Sequence, residues 1–233
     1  MTRNIMLDCF VRFGARICAI FLLATLVACG TAARLTAGSS GGSGSAISTG
    51  TSIPTDAKEA LLQGFHRLTS TTYRLRESTR MSGPGGTNAR TRIAEFVPPD
   101  RRHAYLGEYE TISIGGNHYE KVGGKWSRAS LVGNRDLKKR DGANPFSKAI
   151  EDGTMSVTDL GTDELDGKPA RVYQIAGTIK FGETSLKGQH KIWLSAADGL
   201  PLKTEGKTEP PYVIESVLIY EYDPNIRIEA PLP

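Results

Sequence analysis

From Pro54 onward the sequence predicts an α+β chain that is mainly antiparallel β, with about nine to eleven strands in one large curved sheet and one to three helices on its concave side. Three observations predict it. Helical spacing opens the region and then gives way to segments of period two. Those segments are separated by turn residues such as Asp166-Gly167 and Asp198-Gly199. Most follow one another at hairpin distance, which makes sequential neighbours antiparallel.

Taken in order, Asp56 followed by Glu59 reads as a helix start, and Ala57, Leu61, Phe65 and Leu68 then fall at helical spacing with Leu62 beside them. One apolar face results, and the concave side of the sheet is where it can be buried. Beyond Ser70, Tyr73, Leu75 and Met81 alternate with Arg74, Arg76 and Arg80. Gly83-Pro84-Gly85-Gly86 breaks this run before residues 90–96 resume it, a hairpin with a basic face. Residues 111–114, 118–122 and 125–128 continue as a meander around Gly115-Gly116-Asn117 and Gly123-Gly124. Between Leu131 and Asp152 the strand signal lapses into a charged stretch, residues 135–140, and a short helix begins at Pro145. Five further strands follow over residues 157–165, 170–180, 185–195, 200–207 and 212–222.

Upstream of this domain (residues 54–233) lie an export signal (1–28) and a tether (29–53). Arg3, Arg12 and Arg16 precede an uncharged stretch from Ile17 to Ala28, too short to span a bilayer as a helix but long enough for a signal core. It ends in Leu26-Val27-Ala28-Cys29-Gly30, which resembles the lipobox of bacterial lipoproteins. That resemblance implies cleavage before Cys29, acylation of its thiol, and attachment to a membrane. It places the protein at the periplasmic face of the outer membrane in a two-membrane envelope, or on the outer face of the cytoplasmic membrane in a single-membrane one. The segment after Cys29, rich in Gly, Ser, Thr and Ala, cannot bury enough apolar surface to order itself and gives a reach of about 25 to 30 Å. Gly38-Ser39-Ser40-Gly41-Gly42 matches a nucleophile-elbow pattern but lacks the strand and helix that motif needs.

Cys9 and Cys18 fall within the signal, so acylation of Cys29 leaves the folded part without a disulfide or a thiol metal site. The whole chain carries a formal charge of +4, but residues 71–140 hold an excess of seven basic side chains and residues 141–233 an excess of six acidic ones. A basic half can face anionic lipid head groups.

Leu160-Gly161-Thr162-Asp163-Glu164-Leu165-Asp166-Gly167-Lys168-Pro169-Ala170-Arg171-Val172-Tyr173, then Lys191-Ile192-Trp193-Leu194 and Asp198-Gly199-Leu200-Pro201-Leu202-Lys203, resemble the LolA-like lipoprotein carrier superfamily, to which the mycobacterial LppX/LprG lipoproteins are similar. The resemblance implies a half-barrel of antiparallel strands over a few helices, with an apolar cavity that takes acyl chains. The same words are also hairpin grammar, with Gly167 in a tight turn and Tyr173 and Trp193 as inward aromatics.

Candidate cavity residues are Leu61, Leu62, Phe65 and Leu68 on the helix, with Tyr73, Leu75, Ile93, Ile112, Ile114, Tyr119, Trp126, Tyr173, Ile175, Trp193, Leu218 and Tyr220 on strands. All of them serve equally as plain core. Arg74, Arg76, Arg80, Arg90, Arg92, Arg101 and Arg102 form the densest basic group, and Arg74, Arg76, Arg90 and Arg92 are its head-group candidates, since guanidinium groups suit phosphate and carboxylate; the other reading is a solvated face. His66, His103, His118 and His190 show no metal-ligand spacing, and Asp159, Asp163, Glu164 and Asp166 read as turn chemistry. No metal, cofactor, catalytic group or nucleic-acid partner is expected. The expected role is to bind a lipid or lipidated ligand and carry or present it in the cell envelope. The alternative is a sensory or structural module without a cavity that docks an envelope protein.

Overall fold

The computed structural model describes residues 54–129, 145–181 and 184–232. The signal, Cys29, the tether with its Gly38–Gly42 motif and the charged stretch 135–140 lie outside the described residues. No helix among the described residues is long and apolar enough to cross a membrane.

Helix α1 (Ala57–Leu68) starts where Asp56 accepts a hydrogen bond from the Glu59 amide at 2.8 Å, the N-cap expected from the pair. Two strands follow as a hairpin, β1 (Tyr73–Gly83) and β2 (Gly86–Val97), and then β3 (Arg101–Leu106), β4 (Tyr109–Ile114), β5 (Asn117–Val122) and β6 (Lys125–Arg128). A short helix, α2 (Pro145–Glu151), precedes β7 (Met155–Leu165), β8 (Lys168–Phe181), β9 (Thr184–Ser195), β10 (Pro201–Thr208) and β11 (Val213–Tyr222). All eleven strands join one antiparallel sheet in the order β6-β5-β4-β3-β2-β1-β11-β10-β9-β8-β7. Two meanders therefore meet along β1 and β11, and the chain passes from one edge of the sheet to the other between β6 and β7.

The expected curved sheet and concave-side helices are both present. Strand β3 was not among the expected segments, because Arg101-Arg102-His103-Ala104-Tyr105-Leu106 lacks an apolar alternation and is recruited by pairing with β2 and β4. Its inner positions are Arg102, Ala104 and Leu106, of which only the last carries a hydrophobic signal.

Register divides the side chains between two faces, since directly paired residues point the same way. Both helices pack on the inner face over β7, β8 and β9, where Leu61, Phe65, Ile150, Met155, Tyr173, Ile175, Ile192 and Leu194 form a buried cluster. Burial of each such side chain contributes roughly 1.5 to 3 kcal/mol. Gly64 lets α1 approach the β9–β10 turn, where a Cβ would lie 2.8 Å from the Gly199 carbonyl oxygen. Arg67 also donates to the Asp198 carbonyl there.

On the outer face, the chain after β11 turns back across β3–β6. Ile226 and Ile228 are buried against Ile112 and Tyr119, with Val97, Ile114, Trp126 and Leu232 at the margins. The Arg101 guanidinium donates to the Ile228 carbonyl at 2.8 Å and fixes this strap.

Candidate functional site

The inner face continues beyond the helices onto β1, β2, β3 and β11. Ile192 pairs with Thr204, Thr204 with Leu218, Leu218 with Glu77 and Glu77 with Arg92, so one continuous face runs from the helix-covered strands to β2. Along it Leu75, Ala94, Phe96 and Ala104 are buried, with Tyr73, Leu218 and Tyr220 packed against them. This cluster is built from strands alone. Tyr73 stacks on Phe96 with ring centroids 4.6 Å apart and lies 6.0 Å from Tyr220.

Of the sixteen apolar candidates, ten share this face: Leu61, Leu62, Phe65 and Leu68 from α1, and Tyr73, Leu75, Tyr173, Ile175, Leu218 and Tyr220 from strands. The other six are corrected by the register. Ile93, Ile112, Ile114, Tyr119, Trp126 and Trp193 point outward, because each pairs in line with an outward residue or stands one position from an inward one. Ile112, Ile114, Tyr119 and Trp126 instead meet the C-terminal strap. Trp193 packs with Ala170, Val172 and Leu202 and donates its indole N–H to Asp163 at 3.0 Å.

The head-group candidates divide in the same way. Arg74 and Arg76 lie on the outer face, where Arg76 pairs with Glu221 at 2.6 Å and Arg74 with Glu95 at 2.7 Å. The ladder continues through His103, 2.7 Å from Glu110, to Lys121, 2.8 Å from the same carboxylate. It crosses six strands and accounts for these two arginines as cross-strand partners. Arg90 and Arg92 lie on the inner face, paired in register with Thr79 and Glu77.

Arg92 is buried and forms an ion pair with the equally buried Glu77. Arg102, which belongs to the basic group in the sequence but whose strand and burial the sequence did not reveal, is buried nearby, its guanidinium carbon 5.7 Å from the centroid of the Phe96 ring. Burial, with a further push from Arg92, lowers the Arg102 pKa to about 10, so the group remains a cation at neutral pH. Burial pushes the Tyr220 hydroxyl up to about 12 and raises that of Tyr73 still further, so both phenols keep their protons. The face thus combines aromatic and aliphatic walls with buried cations.

The acidic group proves to be strand and turn chemistry: Asp159 pairs with Arg171, Asp163 holds Trp193, and Asp166 and Gly167 take positive φ in the β7–β8 turn. Among the described residues, no three His, Cys, Asp or Glu side chains gather to hold a metal ion.

His190 is buried beneath α2, its ring edge-on to Phe146 at 4.6 Å and seated over Gly206. Burial lowers its pKa from 6.5 to about 4. The unfolded chain therefore takes up this proton first as pH falls, so the neutral ring's stabilisation is complete above about pH 6.5 and drains away toward pH 4. Relative to His190→Phe, the wild type is expected to lose about 3 kcal/mol of unfolding free energy between pH 7 and pH 4. Urea titrations of both proteins check this; a constant difference between them would remove His190 as an acid-sensitive element.

No family model and no curated protein matches the sequence. Among solved structures, the chain is similar to LprF from Mycobacterium bovis, at 13% identity over 77% of this chain and 99% of that chain, with a TM-score of 0.48. It is similar to the lipoprotein LppX from Mycobacterium tuberculosis, at 14% identity over 73% of this chain and 98% of that chain, with a TM-score of 0.43. A LolA superfamily protein from Nitrosomonas europaea is a third, at 12% identity over 74% of this chain and 96% of that chain, with a TM-score of 0.32. All three are strongly divergent in sequence from this chain.

Proposed function

We propose that the protein is an exported, lipid-anchored, non-catalytic binding protein that holds a lipid or lipidated ligand on the inner face of its half-barrel and carries or presents it in the cell envelope. The observation that carries this reading is the second inner-face cluster, Tyr73, Leu75, Phe96, Leu218 and Tyr220, which is apolar, concave-side and separate from the core that the helices fill. Each acyl methylene moved from water onto such a surface contributes about 0.8 kcal/mol. The sequence around Cys29 supports the anchor, and the tether after it keeps the domain within about 25 to 30 Å of one leaflet. That confinement raises the local concentration of membrane-borne ligand.

Protein extracted from membranes and analysed by mass spectrometry is expected to begin at acylated Cys29 and to carry a co-purifying lipid. The mature chain made without residues 1–28 is expected to take up a fluorescent acyl probe saturably. A protein that copurifies with no lipid and shows no saturable uptake, yet crosslinks in cells to one dominant envelope protein, is an interaction module and not a carrier.

A further inference from the structure

Three hydroxyl-bearing side chains meet on the inner face beside the second apolar cluster. Thr204 pairs with Leu218 across β10 and β11, and Tyr220 stands at the next inward position of β11, opposite Leu75 of β1. Tyr73, at the start of β1, brings its ring to within 6.0 Å of the Tyr220 ring. Thr204 is only 1% exposed, and its Oγ1 has no hydrogen-bond partner among the described residues. The Tyr220 hydroxyl lies close enough for Thr204 to ease its ionisation, but the two are not aligned for a hydrogen bond to Thr204 Oγ1. A buried hydroxyl left in this state calls for a partner from outside the protein, a water molecule or a ligand.

The two phenols are accessible and desolvated at once. Tyr73, Leu218 and Tyr220 are half-buried and keep accessible surface. Burial is nevertheless the largest influence on both hydroxyls and raises both pKa values strongly. Side chains in the filled core, such as Ile175 and Ile192, keep no surface at all, and a phenol on an open face keeps its solvation. The combination marks the wall of a narrow recess. That recess opposes negative charge: the Tyr73 hydroxyl stays raised although Arg102 and Arg92 act to lower it, and Glu77 pushes the Tyr220 hydroxyl further up. A carboxylate or phosphate would meet the same loss of hydration, whereas an ester or alcohol has less to lose. Phenols that keep their protons are standing donors, and the threonine hydroxyl both donates and accepts.

We propose that the ligand carries an uncharged polar group, an ester carbonyl or a hydroxyl, that enters this recess and is held by the hydroxyls of Tyr220, Tyr73 and Thr204, with its acyl chain along Leu75, Phe96 and Leu218. The proposal rests on the lipid-binding reading and adds to it the neutrality of the polar group and the direction in which the ligand enters.

The test uses the mature chain, residues 29–233, loaded with a fluorescent acyl ester and titrated at pH 8 with methyl decanoate, decanol, decanoate and decane. The ester and the alcohol are expected to displace the probe at concentrations about tenfold or more below those of decanoate and decane. Tyr220→Phe, which removes one oxygen and keeps the ring, is expected to cost methyl decanoate most of its advantage over decane, and Thr204→Val to do the same for decanol. If neither variant folds, the wild-type order of the four ligands decides alone. Decanoate binding as tightly as the neutral polar ligands would overturn the proposal and leave the lipid-binding reading standing. Decane binding as tightly as they do would overturn it in the same way, since the hydroxyls would then recognise nothing on the ligand. Folded variants that keep the full wild-type advantage of ester and alcohol would overturn it too, and would assign the hydroxyls to bound water. A probe that does not bind saturably, with no binding of any chain-bearing ligand, would overturn both readings.

Discussion

Gly177→Ala is expected to destabilise the domain by about 3 kcal/mol or more, enough to shift its urea midpoint well below that of the wild type. The substitution fails on two counts. Gly177 has φ +151°, a conformation closed to ordinary L side chains, and an added Cβ would overlap the Thr154 carbonyl oxygen and come within 2.8 Å of the Met155 Cα. Both obstacles are backbone, so no rotamer change relieves them. The position belongs to a row in which the sheet bends tightly: Gly177 pairs with Gly188, and a Cβ on Gly188 would lie 2.5 Å from the Lys207 carbonyl oxygen. Gly206, paired with His190, gives that imidazole its seat, and a Cβ there would run into the ring. The informative control is Gly167→Ala in the β7–β8 turn, where φ is +76° but nothing lies within 4 Å; only backbone strain remains, and a loss of about 1 kcal/mol is expected. Equal effects at the two positions would show that crowding between strands is not what Gly177 relieves.

These glycines also explain which parts of the molecule could be read from the sequence. Strand existence was legible wherever apolar and polar residues alternate or a turn dipeptide intervenes, as at Asp166-Gly167, and the α1 start was legible because Asp56 and Glu59 make a local hydrogen bond. Curvature was not, because it depends on what lies across the sheet from Gly177 and Gly188, which no local pattern records. The faces were harder still. Alternation shows that Ile93 and Ala94 point opposite ways but not which way is inward, and here both faces are apolar. The inner one holds Leu75 and Phe96, while the outer one at Ile112 and Tyr119 is covered by Ile226 and Ile228. The alternation in Asn225-Ile226-Arg227-Ile228 was the available sign of that strap. The burial of Arg102 was missed for a different reason: a buried cation inside a strand with two adjacent arginines looks like a solvated segment until β2 and β4 are placed beside it.

Replacing Glu77 by leucine is expected to cost about 3 to 5 kcal/mol, because Arg92 would keep its charge inside the sheet without the carboxylate that faces it. The two partners are not equivalent. A buried carboxyl group deprived of its cation can take up a proton and become neutral, whereas a guanidinium cannot shed one near neutral pH. Arg92→Met is therefore expected to be the milder single substitution. The double variant Glu77→Leu/Arg92→Met removes both charges and is expected to be more stable than Glu77→Leu alone. Urea unfolding of all four proteins at pH 5 and pH 8 reads each of these differences, and a double variant that loses the sum of the two singles would show that the pair is not coupled.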